Sequence, residues 1–264
     1  NIADISGSTG FESDNDGTGS FNTPRTQPWF SNVTVVGPMV DTGSTVNPLF
    51  TRGAHLRRST QTSIYNSVVM GYPTGLLIDG AGTVGTASGD TLQIRNSIWA
   101  GLRSGFRFLD TDAGAFDAEV WYHTPAYANR SYTPADSVGL IDPFNRTSPD
   151  PRPAVGSPAA SGGDFTSPRL TDPFYTPTSY VGAFDPMLGR DEQWDAGWTE
   201  YNPKKYHVPS PFEVLSGTIS VNTTLTSDKR YLLSGFVYVD SLVTLTIEPG
   251  TIIYGDKDTK GALI

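Results

Sequence analysis

Glu12-Ser13-Asp14-Asn15-Asp16-Gly17 places acidic side chains at alternate positions ahead of a glycine. The first half of a calcium loop presents its oxygen ligands in this way, with the glycine allowing the sharp turn. The twelfth position is Thr23, not a bidentate Glu. A full EF-hand is therefore excluded, and a Ca²⁺ held by Glu12, Asp14 and Asp16 would need further carboxylates from elsewhere. Arg52, His55, Arg57 and Arg58 form the one dense basic cluster. Beside a calcium–carboxylate site, such a cluster could contact a glycan, neutralise a uronate and assist proton abstraction, as a polysaccharide lyase requires. The simpler account, and the favoured one, is that these residues pair with surplus surface carboxylates. His55, His123 and His207 share no metal-ligand spacing such as i, i+4. No nucleophile elbow, Walker loop or dinucleotide fingerprint is present.

The elements that must position these groups are constrained by composition. Asp plus Glu number 27 against 18 Lys plus Arg, a formal net charge of -9. An acidic chain repels phosphate backbones, which argues against nucleic acid as a partner. With 28 Gly and 20 Pro among 264 residues, few windows of helical length escape a breaker. Aromatic residues at 11%, with abundant Thr, Val and Ser, point to an all-β fold. The absence of Cys removes disulfides and thiolate chemistry. No apolar run is long enough for membrane insertion. The chain opens Asn1-Ile2-Ala3 without Met, as a processed form or fragment would.

Between residues 28 and 110 three segments align: Phe30 to Gly37, Ile64 to Gly71, and Ile94 to Gly101. Each has an apolar residue two before an Asn, then an apolar run, then a Gly five after that Asn. The second and third continue in parallel through Gly71–Asp79 and Gly101–Asp110, and the Asn-to-Asn steps are 34 and 30 residues. Short strands, turn residues and no helical crossover at such a period indicate a right-handed parallel β-helix, whose rungs bury apolar faces only by stacking. Asn32, Asn66 and Asn96 would then form a structural ladder, their amides hydrogen-bonding along the axis. The alternative is that Asn tolerates a left-handed turn.

The flanks read differently. Residues 1–24 are acidic and polar and read as an ordered loop. Residues 111–160 lose the repeat, as a long extension or the fading end of the solenoid. Residues 164–202 read as short strands with aromatics, closing on Trp194 to Tyr201. Residues 203–211 carry three Pro and read as a linker able to span about 28 Å. A second β segment runs over 212–264. Trp121, Tyr122, Trp194 and Trp198 could stack on sugars, but core or cap packing is the better account. Sequons begin at Asn32, Asn129, Asn145 and Asn222.

Tyr231 to Val239 and Leu245-Thr246-Ile247-Glu248-Pro249-Gly250-Thr251-Ile252-Ile253-Tyr254-Gly255-Asp256 resemble the opening rungs of secreted β-helix surface proteins exported by the type IX route in gliding-type bacteria. Gly10 to Gly17, Ala54 to Arg58, and Trp194 to Tyr201 resemble the later part of the same family. The resemblance spans nearly the whole chain and implies fold and extracellular location, while bringing no catalytic motif. The family's order is reversed here, as in a slice of a tandem array, a permuted form, or a subunit sharing rungs with its neighbour. The sequence therefore reads as a β-helix body over 1–202, a linker over 203–211, and opening rungs over 212–264. The expected role is structural or adhesive, with head-to-tail self-assembly through Phe212, Leu245, Ile247, Leu263 and Ile264. A polysaccharide lyase or glycan-binding module is the alternative.

Overall fold

The structure, a computed structural model, describes residues 8–103, 108–111, 114, 116–201 and 212–264. The linker expected at 203–211 lies outside these residues, as do Gly105 and Phe106 of the repeat. The chain divides into two compact units, 1–202 and 203–264.

The first unit is built from rungs of short strands. β1 (Ser8–Ser13), β2 (Trp29–Ser31) and β3 (Thr34–Val36) form the first rung. β4 (Phe50–Arg57), β5 (Ser63–Tyr65) and β6 (Val68–Met70) form the second. β7 (Thr74–Asp79), β8 (Gln93–Arg95) and β9 (Ile98–Ala100) form the third, with α1 (Ala81–Ser88) inserted. β10 (Phe108–Asp110) and β11 (Arg130–Tyr132) belong to the fourth, separated by α2 (Ala118–Tyr122). The strands stack into three parallel sheets, ordered β1-β4-β7-β10, β2-β5-β8 and β3-β6-β9-β11. This is the β-helix class of all-β fold that the repeat implies.

The repeat is in register. Phe30 pairs with Ile64 and Ile64 with Ile94, while Thr34 pairs with Val68 and Val68 with Ile98. Between these rows the chain must corner after a single residue. Asn32, Asn66 and Asn96 do this with φ of 56°, 49° and 53°, the left-handed conformation Asn tolerates best among non-glycine residues. Inside the rungs, Leu56, Ile64, Leu76, Ile78, Ile94 and Trp99 are fully buried in one core. Trp99 fits because β4 passes it as glycine. A Cβ on Gly53 would sit 2.5 Å from Val69 Cγ1 and 2.8 Å from the Gly75 carbonyl. The Trp99 indole N–H donates to that same carbonyl at 2.9 Å.

Three elements depart from the sequence expectations. Residues 8–13 are a strand, because β4 supplies a parallel edge in register from Thr9–Arg52 to Ser13–Leu56. Helices interrupt the third and fourth rungs. α1 is too glycine-rich to announce itself, but buried Thr83 and Thr86 fasten it to the β4–β5 corner. Thr83 Oγ1 accepts the Ser59 N–H at 2.9 Å, and Thr86 Oγ1 donates to the Thr60 carbonyl at 2.8 Å. Finally, residues 133–201 neither extend the solenoid nor form strands over 164–201. After the antiparallel pair β12 (Leu140–Asp142) and β13 (Asp150–Pro153), they run as short 3-10 turns against the outside of the third sheet. There Ala135, Val138, Ala159 and Val181 cover Val68, Met70, Ile98 and Ala100 in a second core.

The second unit has the same strand grammar. β14 (Glu213–Ile219), β15 (Thr223–Leu225), β16 (Arg230–Val239), β17 (Leu245–Ile247), β18 (Ile252–Gly255) and β19 (Ala262–Leu263) pair only in parallel. Leu225, Tyr231, Leu233 and Val237 are buried, but Val214, Phe236 and Ile252 stay about half exposed.

Candidate functional site

The chemistry-bearing residues collect on the outer face of the first sheet. Side chains alternate along β1, β4 and β7, so the positions following the core residues Phe11, Ala54 and Leu76 face away from the core. Glu12 lies beside His55, and Arg57 beside Asp79. Arg57 bridges rungs. Its Nε donates to Asp14 at 2.7 Å and its terminal nitrogen to Glu12 at 2.6 Å. Arg58 donates to the second Asp14 oxygen at 2.8 Å. One rung further, His55 Nε2 lies 2.8 Å from Asp79 Oδ2, and Thr111 donates to Asp79 Oδ1 at 2.5 Å.

The electrostatics follow from these contacts. The hydrogen bond to Asp14 raises the Arg57 pKa above its ordinary value, against the opposing effect of burial. Burial pushes the Asp79 carboxyl up, but hydrogen bonds from Thr111 and His55 and the charge of His55 and Arg52 outweigh it. The carboxyl rests below its usual range. Arg52 has no carboxylate within ion-pair distance among the described residues; it donates to Thr51 Oγ1 at 3.2 Å. His55, Arg57 and Arg58 thus share one face with Glu12, Asp14 and Asp79, and the charge of Arg52 acts on Asp79. Six of those seven groups are paired, Arg57 and Arg58 with Glu12 and Asp14, and His55 with Asp79.

The carboxylates of the acidic loop are engaged by protein groups. Glu12 and Asp14 hold guanidinium groups, and Asp16 turns back on its own loop. Asp16 accepts from Ser20 Oγ, the Ser20 N–H at 3.0 Å, and Thr18 N–H and Oγ1, each at 2.9 Å. These bonds, led by the Ser20 hydroxyl, hold its carboxyl well below the usual range. Among the described residues no group of three or more His, Asp or Glu converges as a metal ligand set.

Asn32, Asn66 and Asn96 do occupy equivalent corners of adjacent rungs, but their amides do not bond to one another. Asn66 Nδ2 donates to Ser31 Oγ, which donates to Asn32 Oδ1. The remaining capacity goes sideways to the covering segment. Asn66 pairs with both backbone groups of Asp164, at 3.0 and 2.9 Å. Asn32 donates to Thr178 Oγ1 and to the Tyr180 and Gly182 carbonyls. The ladder that does run along the axis lies one residue later. Ser67 Oγ accepts the Val33 N–H, Ser97 Oγ accepts the Ser67 N–H, and Asn129 Oδ1 accepts the Ser97 N–H, all at 3.0–3.1 Å. Ser67 and Ser97 are fully buried. The recurring Asn66-Ser67 and Asn96-Ser97 pairs were the available signal.

The aromatic residues divide. Trp121 and Tyr122 are buried against the fourth rung, whereas Trp194 and Trp198 are 59% and 71% exposed. Trp194 borders a groove of about 720 Å³ at the first rung, lined also by Thr34, Val36, Phe50, Tyr72 and Phe144. Its closing segment is pinned by Arg190, which donates to both Asp195 oxygens at 2.6 and 2.7 Å. Of the residues expected to drive assembly, Phe212 and Leu245 are half-buried, and Ile247, Leu263 and Ile264 are exposed.

Residues 2–125 match the model of a pectate-lyase-like β-helix domain. That span covers the first sheet and most of the first unit's core, and it supports a β-helix protein. No curated protein matches the chain. No solved structure matches it either. Among the described residues no helix is long and apolar enough to cross a membrane.

Proposed function

We propose that this protein is an extracellular structural or adhesive β-helix protein that assembles head-to-tail with copies of itself. The observation that carries the reading is apolar surface left uncovered on the strands of residues 212–264. Val214, Phe236, Ile252 and Leu263 are 56%, 53%, 45% and 38% exposed in a unit made only of parallel strands. Exposed, pairing-competent strands of this kind are sites for another chain. A contact between unlike surfaces of two copies is heterologous and propagates into a fibre unless its rotation closes a ring. Secretion by the type IX route and display at a bacterial surface belong to the same reading, resting on the Leu245–Asp256 run.

A second reading is favoured by one observation, the basic face of the first sheet within a pectate-lyase-like domain. There the chain would bind or cleave an acidic glycan, with Arg52 as the cation not already engaged by a carboxylate. Release of unsaturated uronates from polygalacturonate, read by the ultraviolet absorbance of the new C=C bond conjugated to the carboxylate, would establish it.

The assembly reading is tested on the full chain by light scattering coupled to gel filtration and by negative-stain microscopy. The expected result is a concentration-dependent series built on the 28.4 kDa protomer, reduced by Leu263→Lys with Ile252→Lys. A monomer at every concentration overturns it.

A further inference from the structure

The two ends of the 8–201 rungs are finished differently. At the fourth rung the cross-section is plugged. Phe108 stacks on Tyr122 with ring centroids 4.6 Å apart, and the Tyr122 hydroxyl bonds the Ser97 and Arg130 carbonyls at 3.0 and 2.9 Å. The Trp121 indole bonds the Ala87 carbonyl at 3.2 Å. At the first rung, among the described residues, the inward position of β2 is partly open. Phe30 is 38% exposed, whereas its register partners Ile64 and Ile94 are fully buried.

The backbone at that open end is also available. Among the described residues β3 pairs only with β6. The Val33 carbonyl and the Gly37 N–H bond toward β6, at 2.8 Å each. Backbone groups alternate sides along a strand, so those of Thr34 and Val36 point the other way, into the groove. Among the described residues nothing pairs with them. The groove walls are the rings of Phe50, Tyr72, Phe144 and Trp194, and its charged lining residue is Arg146.

We infer that this groove is an acceptor for an extended apolar strand, which adds to the free edge of β3 in parallel register and is donated by β18 of a second copy. Ile252-Ile253-Tyr254-Gly255 carries no charge, pairs on one side only, and leaves Ile252 45% exposed. Its four residues match the three of β3, so the main chain supplies the bonds and alternate side chains fill the apolar walls. Parallel addition continues the sense in which β1 to β11 and β14 to β19 already pair from rung to rung. The inference rests on the assembly reading and names its acceptor surface.

The test uses the full chain with benzoylphenylalanine at Val40, a groove residue that is 55% exposed. Equal amounts of ¹⁴N- and ¹⁵N-labelled protein are mixed, irradiated and mapped by mass spectrometry. The expected product is a mixed-isotope crosslink from position 40 to residues 245–264, reduced about tenfold by Val36→Pro, which deletes an edge N–H without touching the β6 pairing. Ile252→Lys on the donor should give the same loss and leaves the acceptor intact, so an unfolded Val36→Pro cannot mimic the result. Oligomers without such crosslinks overturn the groove while leaving assembly standing; absence of oligomers removes both. Saturable quenching of indole fluorescence by xylo- or cello-oligosaccharides, unaffected by Ile252→Lys, would give the groove to a glycan and overturn strand acceptance.

Discussion

Replacing Asn66 by alanine should cost far more than replacing Asn96, although the two hold the same place in the repeat. Both are left-handed, with φ of 49° and 53°, and alanine in that conformation costs about 1–2 kcal/mol. Asn66 is fully buried and bonds Asp164 N–H, Asp164 carbonyl and Ser31. Its loss strands buried partners, at about 1–3 kcal/mol. Asn96 anchors itself through its backbone N–H to the Tyr127 carbonyl, at 2.8 Å, which alanine retains. The expected losses are about 2–5 kcal/mol for Asn66→Ala and about 1–2 kcal/mol for Asn96→Ala. At about 2–4 °C per kcal/mol for a unit of this size, calorimetry should separate the two melting temperatures by roughly 3–10 °C. Glycine at each position relieves the backbone strain. Asn96→Gly should therefore be near neutral, while Asn66→Gly keeps most of its deficit. Equal losses at both positions would refute this reasoning and restore an amide ladder along the axis.

Four further outcomes follow from the same geometry. Ser97→Ala removes the acceptor of the buried Ser67 N–H and should lower stability by about 1–3 kcal/mol in urea titrations, whereas exposed Ser241→Ala should be silent. Asp79 has a depressed folded-state pKa; its contribution is present above the unfolded value of about 3.9 and is lost as pH falls through the lower folded value. Asp79→Asn should thus flatten the acid limb of the stability curve, and an unchanged limb would count against the His55–Asp79–Thr111 arrangement. Millimolar calcium should leave the melting temperature unchanged, since it must displace Arg57 and Arg58 from Asp14; a rise reversed by chelation would contradict the ion-paired strip. Gly53→Ala, whose Cβ meets Val69 and the Gly75 carbonyl, should lose at least about 1–3 kcal/mol by thermal melting.

What the sequence made legible was whatever a rung must repeat. The left-handed corner wants Asn, and the position two before it must be apolar to face a core, so the register of Phe30, Ile64 and Ile94 could be read directly. The strand at Ser8–Ser13 could not, because only Phe11 is apolar there and β4 is what makes it extended. α1 stayed hidden because its support comes from Ser59 and Thr60 in the preceding rung, not from its own propensity. The covering segment is fastened by side-chain hydrogen bonds at Asn32, Thr34 and Asn66, which leave no periodic trace. In the candidate site, the identities of the basic cluster and the acidic loop were readable separately. Their mutual pairing was not, since it depends on the β1–β4 register.

That covering segment also governs how the first unit can fold. A bare stack of rungs could nucleate anywhere and grow one neighbour at a time. Here the first rung is fastened by Gly182 and Ala183, about 150 positions along the chain, and the second by Asp164. Closing loops of that length precedes the contacts that reward it, which slows folding. During synthesis, rungs that emerge first remain without their outer layer until residue 183 follows them. The chain then locks as one cooperative block, and the same late fastening that delays its formation keeps the finished rungs from fraying individually.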